Sequence, residues 1–225
     1  VEVVTKIKIC GLRREADIEY VNEVRPDYVG FVFAESKRQV TKEQAKQLKG
    51  MLAGDITAVG VFVNASTERM VDLVHEGIID VIQLHGQEND EVIARIKEHT
   101  IVPVIQAFGI RDAEDIKRAC ESKADMVLLD YKNAGSGATF DWELLKITEM
   151  KNHLAARSSK NPLGCDGVLK WEKPLFLAGG IDSGNVQEAV RKLHPYAIDV
   201  SSGVEVNGFK DKEKIKDLAR RIRDV

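Results

Sequence analysis

Short apolar runs of strand length punctuate the 225-residue chain: KIKIC (6–10), YVGFVF (28–33), AVGVFV (58–63), VIQL (81–84), VPVIQAF (102–108), MVLLD (126–130), LFLAGG (175–180) and AIDVSS (197–202). They are rich in Val, Ile and Phe, and several are apolar on both faces, as strands of a buried parallel sheet are. Between them lie charged stretches with helical spacing. In EADIEYVNEV (15–24), Ile18, Val21 and Val24 form one stripe. TKEQAKQLKGML opens with Thr41 and carries Gln44 three residues on, a capping-box pattern. Helix starts are also predicted at Ser66 or Thr67, at Asn89, near Asp112 and near Ser183, and the tail KDKEKIKDLARRIRDV predicts a closing helix.

Strand and helix therefore alternate about eight times, with a repeat of roughly 25 to 30 residues that suits βα units. A closed (β/α)₈ barrel and an open doubly wound sheet both fit such a pattern. No GxGxxG follows the first strand, which weakens a dinucleotide-binding open sheet. The reading is one (β/α)₈ TIM barrel domain over residues 1–225, short for a fold where about 250 residues is typical. NHLAARSSKNPLGCDGVLKWEKP (152–174) is long and turn-rich for a helix-to-strand connection. It is expected to be a surface excursion on the face opposite the active site.

Composition narrows the function classes. The net charge of −3 gives no global basic field for nucleic acid. No apolar run approaches membrane-spanning length. Cys10, Cys120 and Cys165 lie far apart without CxxC spacing, which argues against zinc and disulfides and favours a reducing compartment. A cytoplasmic location is the expectation. The chain does not begin with Met, which is compatible with processing, trimming or excision from a longer fusion.

Candidate chemistry sits at the strand ends. LFLAGGID and AIDVSSGVE both run from an apolar strand into small residues. In a barrel, these would be the loops after strands seven and eight, where phosphate groups often bind. Glycine lets backbone N–H groups approach an anion closely, and Ser201 and Ser202 add hydroxyls. On glycine content alone, two tight turns would explain the pattern; the position on the last two strands favours a phosphate. Strand one ends in Cys10-Gly11, strand six in Asp130, Gln83 and His85 close strand four, and Arg38 follows strand two. Polar or reactive groups at such ends read as catalytic in this fold. Each has a bland alternative: a buried small hydrophobe for Cys10, a turn or helix cap for Asp130, a solvated basic spot for Arg38, a satisfied core histidine for His85. Lys8 shares a strand face with Cys10. If that face is interior, Lys8 needs a partner, and Asp199 is the candidate. An interior lysine also permits a Schiff-base aldolase.

Taken together, KICGL (8–12), GFVF (30–33), SKRQV (36–40), VGVFVN (59–64), QLHG (83–86), LLD (128–130), GSGATFDW (135–142), LAGGI (177–181) and DVSSGVE (199–205) resemble the phosphoribosylanthranilate isomerase family, in order and from near residue 5 to the C-terminus. The resemblance implies a (β/α)₈ barrel and an Amadori rearrangement in tryptophan biosynthesis. In it N-(5-phosphoribosyl)anthranilate becomes the 1-deoxyribulose 5-phosphate aminoketose. Asp130 matches the family's general acid, which protonates the furanose ring oxygen. Cys10 matches the general base, which takes the C2′ proton. Arg38 matches the residue facing the anthranilate carboxylate. Gly180, Ser202 and Gly203 match the phosphate-binding backbone, with Gly179 and Ser201 beside them; Gln83 and His85 are counted with the substrate-binding set. Neither a metal nor a cofactor is implied, because the substrate's own nitrogen is the electron sink.

That chemistry asks Asp130 to be raised and Cys10 to be lowered from their ordinary values, and Lys8 is the candidate neighbour for the latter. GSGA (135–138) resembles a loop that closes over substrate. YKNA (131–134) is shorter than the family's usual connection, 152–174 is unusual for it, and Cys165 has no matched role. The expected partner is a small sugar phosphate, with a monomer or homodimer, and fusion to a neighbouring pathway enzyme is kept open. Two rivals remain: a catalytically silent sugar-phosphate-binding barrel, and the related histidine-pathway isomerase. The latter uses an Asp as base on strand one, where this chain has Cys10.

Overall fold

The computed structural model describes residues 4–131 and 172–225. The expectations for GSGA (135–138), for the 152–174 segment as far as residue 171, and for Cys165 lie outside the described residues.

Eight parallel strands close into a barrel in chain order: β1 (Lys6–Cys10), β2 (Tyr28–Val32), β3 (Thr57–Phe62), β4 (Val81–Leu84), β5 (Val104–Ile110), β6 (Met126–Tyr131), β7 (Leu175–Ala178) and β8 (Ala197–Val200). Closure comes from β1, which pairs with β2 on one side and β8 on the other. Helices alternate with the strands: α1 (Glu15–Val24), α2 (Lys42–Met51), α3 (Thr67–His75), α4 (Asp90–His99), α5 (Ala113–Glu121), α6 (Val186–Leu193) and α7 (Lys212–Arg223). The (β/α)₈ expectation holds. Among the described residues, no helix is long and apolar enough to cross a membrane.

Two cores follow from the strand alternation. One is the shell between sheet and helices, where Ile9, Val29, Ile82 and Leu129 meet Ile18, Leu48, Met70 and Ile215. The other fills the barrel itself with Tyr28, Val59, Val81, Ile105, Leu128, Phe176 and Ala197. Tyr28, Phe176 and Tyr196 pack edge-on and tilted at the N-terminal end of the strands, with Lys6 Nζ 5.0 Å from the Tyr196 ring centroid. The barrel is thus plugged below and polar above, where Lys8, Cys10, Gln83, Asp130 and Asp199 lie.

The helix starts read from sequence at Thr41, Ser66, Asn89 and Asp112 are real caps: each side chain accepts a backbone N–H from the first turn. At Thr41 only half of the capping box forms, because Gln44 Nε2 donates to Arg13 O across the loop. The start expected near Ser183 falls at Asn185 instead. Asn185 receives Asp182 N and donates to Gly180 O, so it is spent on the preceding loop. One element is absent from the sequence reading. After a 3₁₀ turn (Ser202–Val204), β9 (Glu205–Val206) and β10 (Phe209–Lys210) form a short antiparallel hairpin.

Candidate active site

The C-terminal strand ends open onto a cavity of about 430 Å³. All ten residues singled out from sequence line it: Cys10, Arg38, Gln83, His85, Asp130, Gly179, Gly180, Ser201, Ser202 and Gly203.

Cys10 ends β1 and pairs with Gly30 of β2. A Cβ on Gly30 would stand 2.6 Å from Cys10 Sγ, so Gly30 gives the thiol its room. A glycine inside a strand marks such an approach; the one in YVGFVF is the sequence signal, and it is missing from the candidates above. Below Cys10, Lys8 is fully buried. Its register partner is Asp199, and Nζ lies 2.9 Å from Asp199 Oδ2. The interior pair inferred from strand alternation is present. Burial alone would lower the Lys8 ammonium, but Asp199 and Cys10 outweigh it and hold the group above the ordinary lysine range. A protonated, paired amine is the opposite of what Schiff-base chemistry needs, so the aldolase alternative falls.

The expected lowering of Cys10 is corrected. Burial pushes the thiol up; Lys8 and Lys210 pull it down, and Asp199 adds to the rise. Lys8 acts in the expected direction, but desolvation of the charged form is larger.

At the other side of the mouth, Gln83, His85 and Asp130 form a chain. Gln83 Nε2 lies 2.9 Å from His85 Nδ1, and His85 Nε2 lies 3.1 Å from Asp130 Oδ2. An amide nitrogen only donates, so Nδ1 accepts and Nε2 carries the proton given to Asp130. Asp130 also lines the cavity. Gln83 and His85 therefore hold the acid candidate in place.

Arg38 is not a solvated basic spot. Its Nε donates to Glu205 Oε1 at 2.7 Å and its Nη2 to Glu205 Oε2 at 2.8 Å. Lys210 Nζ donates to Glu205 Oε1 at 2.7 Å and to Ser201 O at 2.9 Å. Ser201 Oγ in turn donates to the Cys10 carbonyl at 3.0 Å. The side chain of Arg38 crosses Gly11, whose φ is +86° and where a Cβ would sit 2.4 Å from Arg38 Cδ. Burial raises the Glu205 carboxyl, but bonds from Arg38 and Lys210 prevail and hold it down to about 2. Glu205 and Lys210 were not among the sequence candidates. Their signal was Asn207-Gly208, a dipeptide typical of two-residue hairpins: both residues have positive φ, +52° and +78°. That turn makes Glu205 and Lys210 a cross-strand pair.

The loops after β7 and β8 meet as the glycine pattern predicts. Gly179 and Gly180 have φ of +88° and +65°. A Cβ on Gly203 would lie 2.0 Å from Ile181 O, so only glycine fits there. The 3₁₀ turn beginning at Ser202 presents first-turn N–H groups, which have no partner within a helix. Backbone donors in such a turn suit an anion, and these loops are the candidate phosphate subsite.

Comparison with known proteins is consistent along the whole chain. The family model of N-(5'phosphoribosyl)anthranilate (PRA) isomerase matches residues 7–221. A relative from Thermoanaerobacter sp. (strain X514), N-(5'-phosphoribosyl)anthranilate isomerase, is 42% identical over 224 residues and 98% of each chain. The crystal structure of phosphoribosyl anthranilate isomerase from Thermotoga maritima superposes with a TM-score of 0.80 at 34% identity, over 98% of this chain and 100% of that one. A second solved structure, in complex with reduced 1-(o-carboxyphenylamino)-1-deoxyribulose 5-phosphate, gives a TM-score of 0.76 at 32% identity, with the same coverage. On the strength of the fold, the residues at its mouth and these matches, the chain belongs to the N-(5'-phosphoribosyl)anthranilate isomerase family.

Proposed function

We propose that this isomerase converts N-(5-phosphoribosyl)anthranilate to 1-(2-carboxyphenylamino)-1-deoxyribulose 5-phosphate, with Asp130 as general acid and Cys10 as general base. The observation that carries the reading is the convergence, in one 430 Å³ cavity, of an acid, a thiol, a guanidinium and a backbone anion cradle. Each has a counterpart in the substrate: ring oxygen, C2′ proton, aryl carboxylate and phosphate. The reduced product analogue bound to a solved relative carries the aryl carboxylate and the phosphate.

In this reading, the phosphate sits on the N–H groups of Gly180, Ser202 and Gly203, flanked by Gly179 and Ser201. The carboxylate meets the outer edge of Arg38. A proton on Asp130 passes to the furanose oxygen, the C1′–O bond breaks, and the nitrogen lone pair forms the iminium. The Cys10 thiolate then takes the C2′ proton. The C–H electron pair moves toward nitrogen and neutralises the iminium, giving the enolamine, which tautomerises to the ketone. The iminium is a cation beside Cys10; with Lys8 and Lys210 it favours the thiolate at the step that needs it. A base raised by burial in the free protein is thus compatible with thiolate chemistry in the complex.

The test is the decay of anthranilate-type fluorescence when freshly made phosphoribosylanthranilate is mixed with the protein, with Cys10→Ala and Asp130→Ala alongside. Decay above background that is lost in both variants, by about 10²-fold or more as expected for acid–base groups, supports the assignment. Full activity in either variant removes that residue from its role. No decay with folded wild-type protein returns the silent sugar-phosphate binder.

A further inference from the structure

We propose that Glu205 is a positioning residue that aims Arg38 at the carboxylate subsite; the proposal rests on the reading that Arg38 binds the aryl carboxylate.

Three observations point there independently of the acid–base pair. Glu205 takes the Nε–Nη2 edge of the guanidinium in a two-point contact, which fixes the plane of the fork and leaves Nη1 turned away from it. The contact is protected: the Glu205 side chain is 6% exposed and that of Lys210 1%. The carboxylate itself is held from the far side by Lys210, its cross-strand partner in the hairpin. The guanidinium therefore cannot swing to follow a ligand; it presents one edge in one orientation over Gly11.

Charge follows from the same contacts. Arg38 and Lys210 bring two positive charges and Glu205 one negative. The cluster keeps a single net positive charge, matched to one carboxylate. Were Glu205 made neutral, a second positive charge would be expected to strengthen anion binding. Lys210 argues against that. Burial lowers its ammonium, and Glu205 is the chief group opposing the change. Without Glu205, Lys210 has reason to shed its proton, leaving the net charge where it was. What remains is lost geometry. A glutamine offers one acceptor and one donor to two N–H donors, so the two-point contact cannot form.

The test uses two stable ligands: the reduced product analogue, and its counterpart made from aniline, which lacks only the carboxylate. Their affinities are measured by calorimetry on the wild type, Glu205→Gln, Glu205→Asp and Arg38→Met, with thermal unfolding to check each fold. Glu205→Gln should weaken the carboxylate analogue about tenfold, as loss of a charge-assisted two-point contact would, while the aniline counterpart changes less than about twofold. Glu205→Asp should recover part of the loss. Arg38→Met should abolish the preference for the carboxylate altogether. If Arg38→Met keeps that preference, the underlying assignment of Arg38 is wrong. If Arg38→Met loses it but Glu205→Gln keeps it, Arg38 stands and Glu205 does not position it. An equal loss for both ligands in Glu205→Gln makes Glu205 a structural residue only, and tighter binding of the carboxylate analogue would show that Glu205 competes for Arg38 rather than presents it.

Discussion

At the residue scale, the decisive quantity is the protonation of Cys10. Burial is its largest influence and pushes the thiol up; Lys8 opposes it next, then Asp199 adds to the rise and Lys210 opposes again. A base must be deprotonated, and kcat/KM reports groups of the free enzyme. The thiolate fraction of the free enzyme should therefore keep climbing on the alkaline side and level off only above the raised thiol value. Lys8→Met removes the main opposing charge, so the limb should move to higher pH. The double variant Lys8→Met/Asp199→Asn also removes a group that raises the thiol, and its limb should fall between the other two. The double variant is the safer protein as well, because Lys8→Met alone strands Asp199 in the barrel at a cost of about 3 kcal/mol or more. Thiolate absorbance across pH, read beside kcat/KM, checks both; identical limbs in all three proteins would dismiss Lys8 from this role. The sequence put Lys8 and Cys10 on one strand face because strand alternation is a local rule, and offered Asp199 as the partner if that face was interior. It could not show which influence dominates, since burial depends on all eight strands. Glu205 escaped for a related reason: its contact with Arg38 spans 167 positions, and no local pattern encodes it.

At the element scale, what was legible was what is local. Thr41, Ser66, Asn89 and Asp112 announce their helices because a cap is made by a residue and the next three. Strand cores were equally plain, and their edges less so: β5 runs Val104–Ile110 where the apolar run spans 102–108, since barrel register, not hydrophobicity, decides where pairing begins. The β9–β10 hairpin is the instructive case, being two residues per strand and too short for any alternation. Only its turn is visible, and that turn pairs Glu205 with Lys210. Gly208 has φ +78° with open space where a Cβ would go, so Gly208→Ala adds backbone strain of about 1 kcal/mol without a clash. That strain acts on the pairing that sets Glu205 against Lys210. A rise in KM of several-fold is expected, larger than any change in kcat. Asp112→Ala, which removes the α5 cap, should cost about 1 kcal/mol of stability and leave KM alone. Steady-state kinetics and thermal melts on the two variants separate the cases; an unaltered KM in Gly208→Ala would mean that the hairpin tolerates the strain without moving Glu205.

At the scale of the whole molecule, eight alternations were enough to name the barrel, and the glycines at the last two strand ends marked where its mouth lies, because a closed parallel sheet gathers all eight C-terminal strand ends at one face. The same closure separates two kinds of carboxylate, and acid distinguishes them. Glu23 and Asp217 lie on the outside, each held down to about 2 by hydrogen bonds from lysines or arginines. Glu205 is held down to about 2 at the barrel mouth, against its own burial. For each, the folded value is below the unfolded one. The unfolded chain therefore binds more protons as pH falls from about 4.5, the ordinary glutamate value, and stability drains away down to about 2, being fully present above that window. Salt reaches the two classes differently. Exposed pairs are screened at about 1 M, where the Debye length is about 3 Å, while a buried pair is screened much less. Urea unfolding at stepped pH, with and without salt, should thus show an acid loss that shrinks in salt but does not vanish. Glu205→Gln should shrink that remainder, since a glutamine cannot titrate, while Asp115, buried and held down by Arg111, keeps its own share. If high salt abolishes the acid loss entirely, or Glu205→Gln leaves the salt-resistant part undiminished, the ionised Glu205 bridge does not contribute to holding the barrel mouth together.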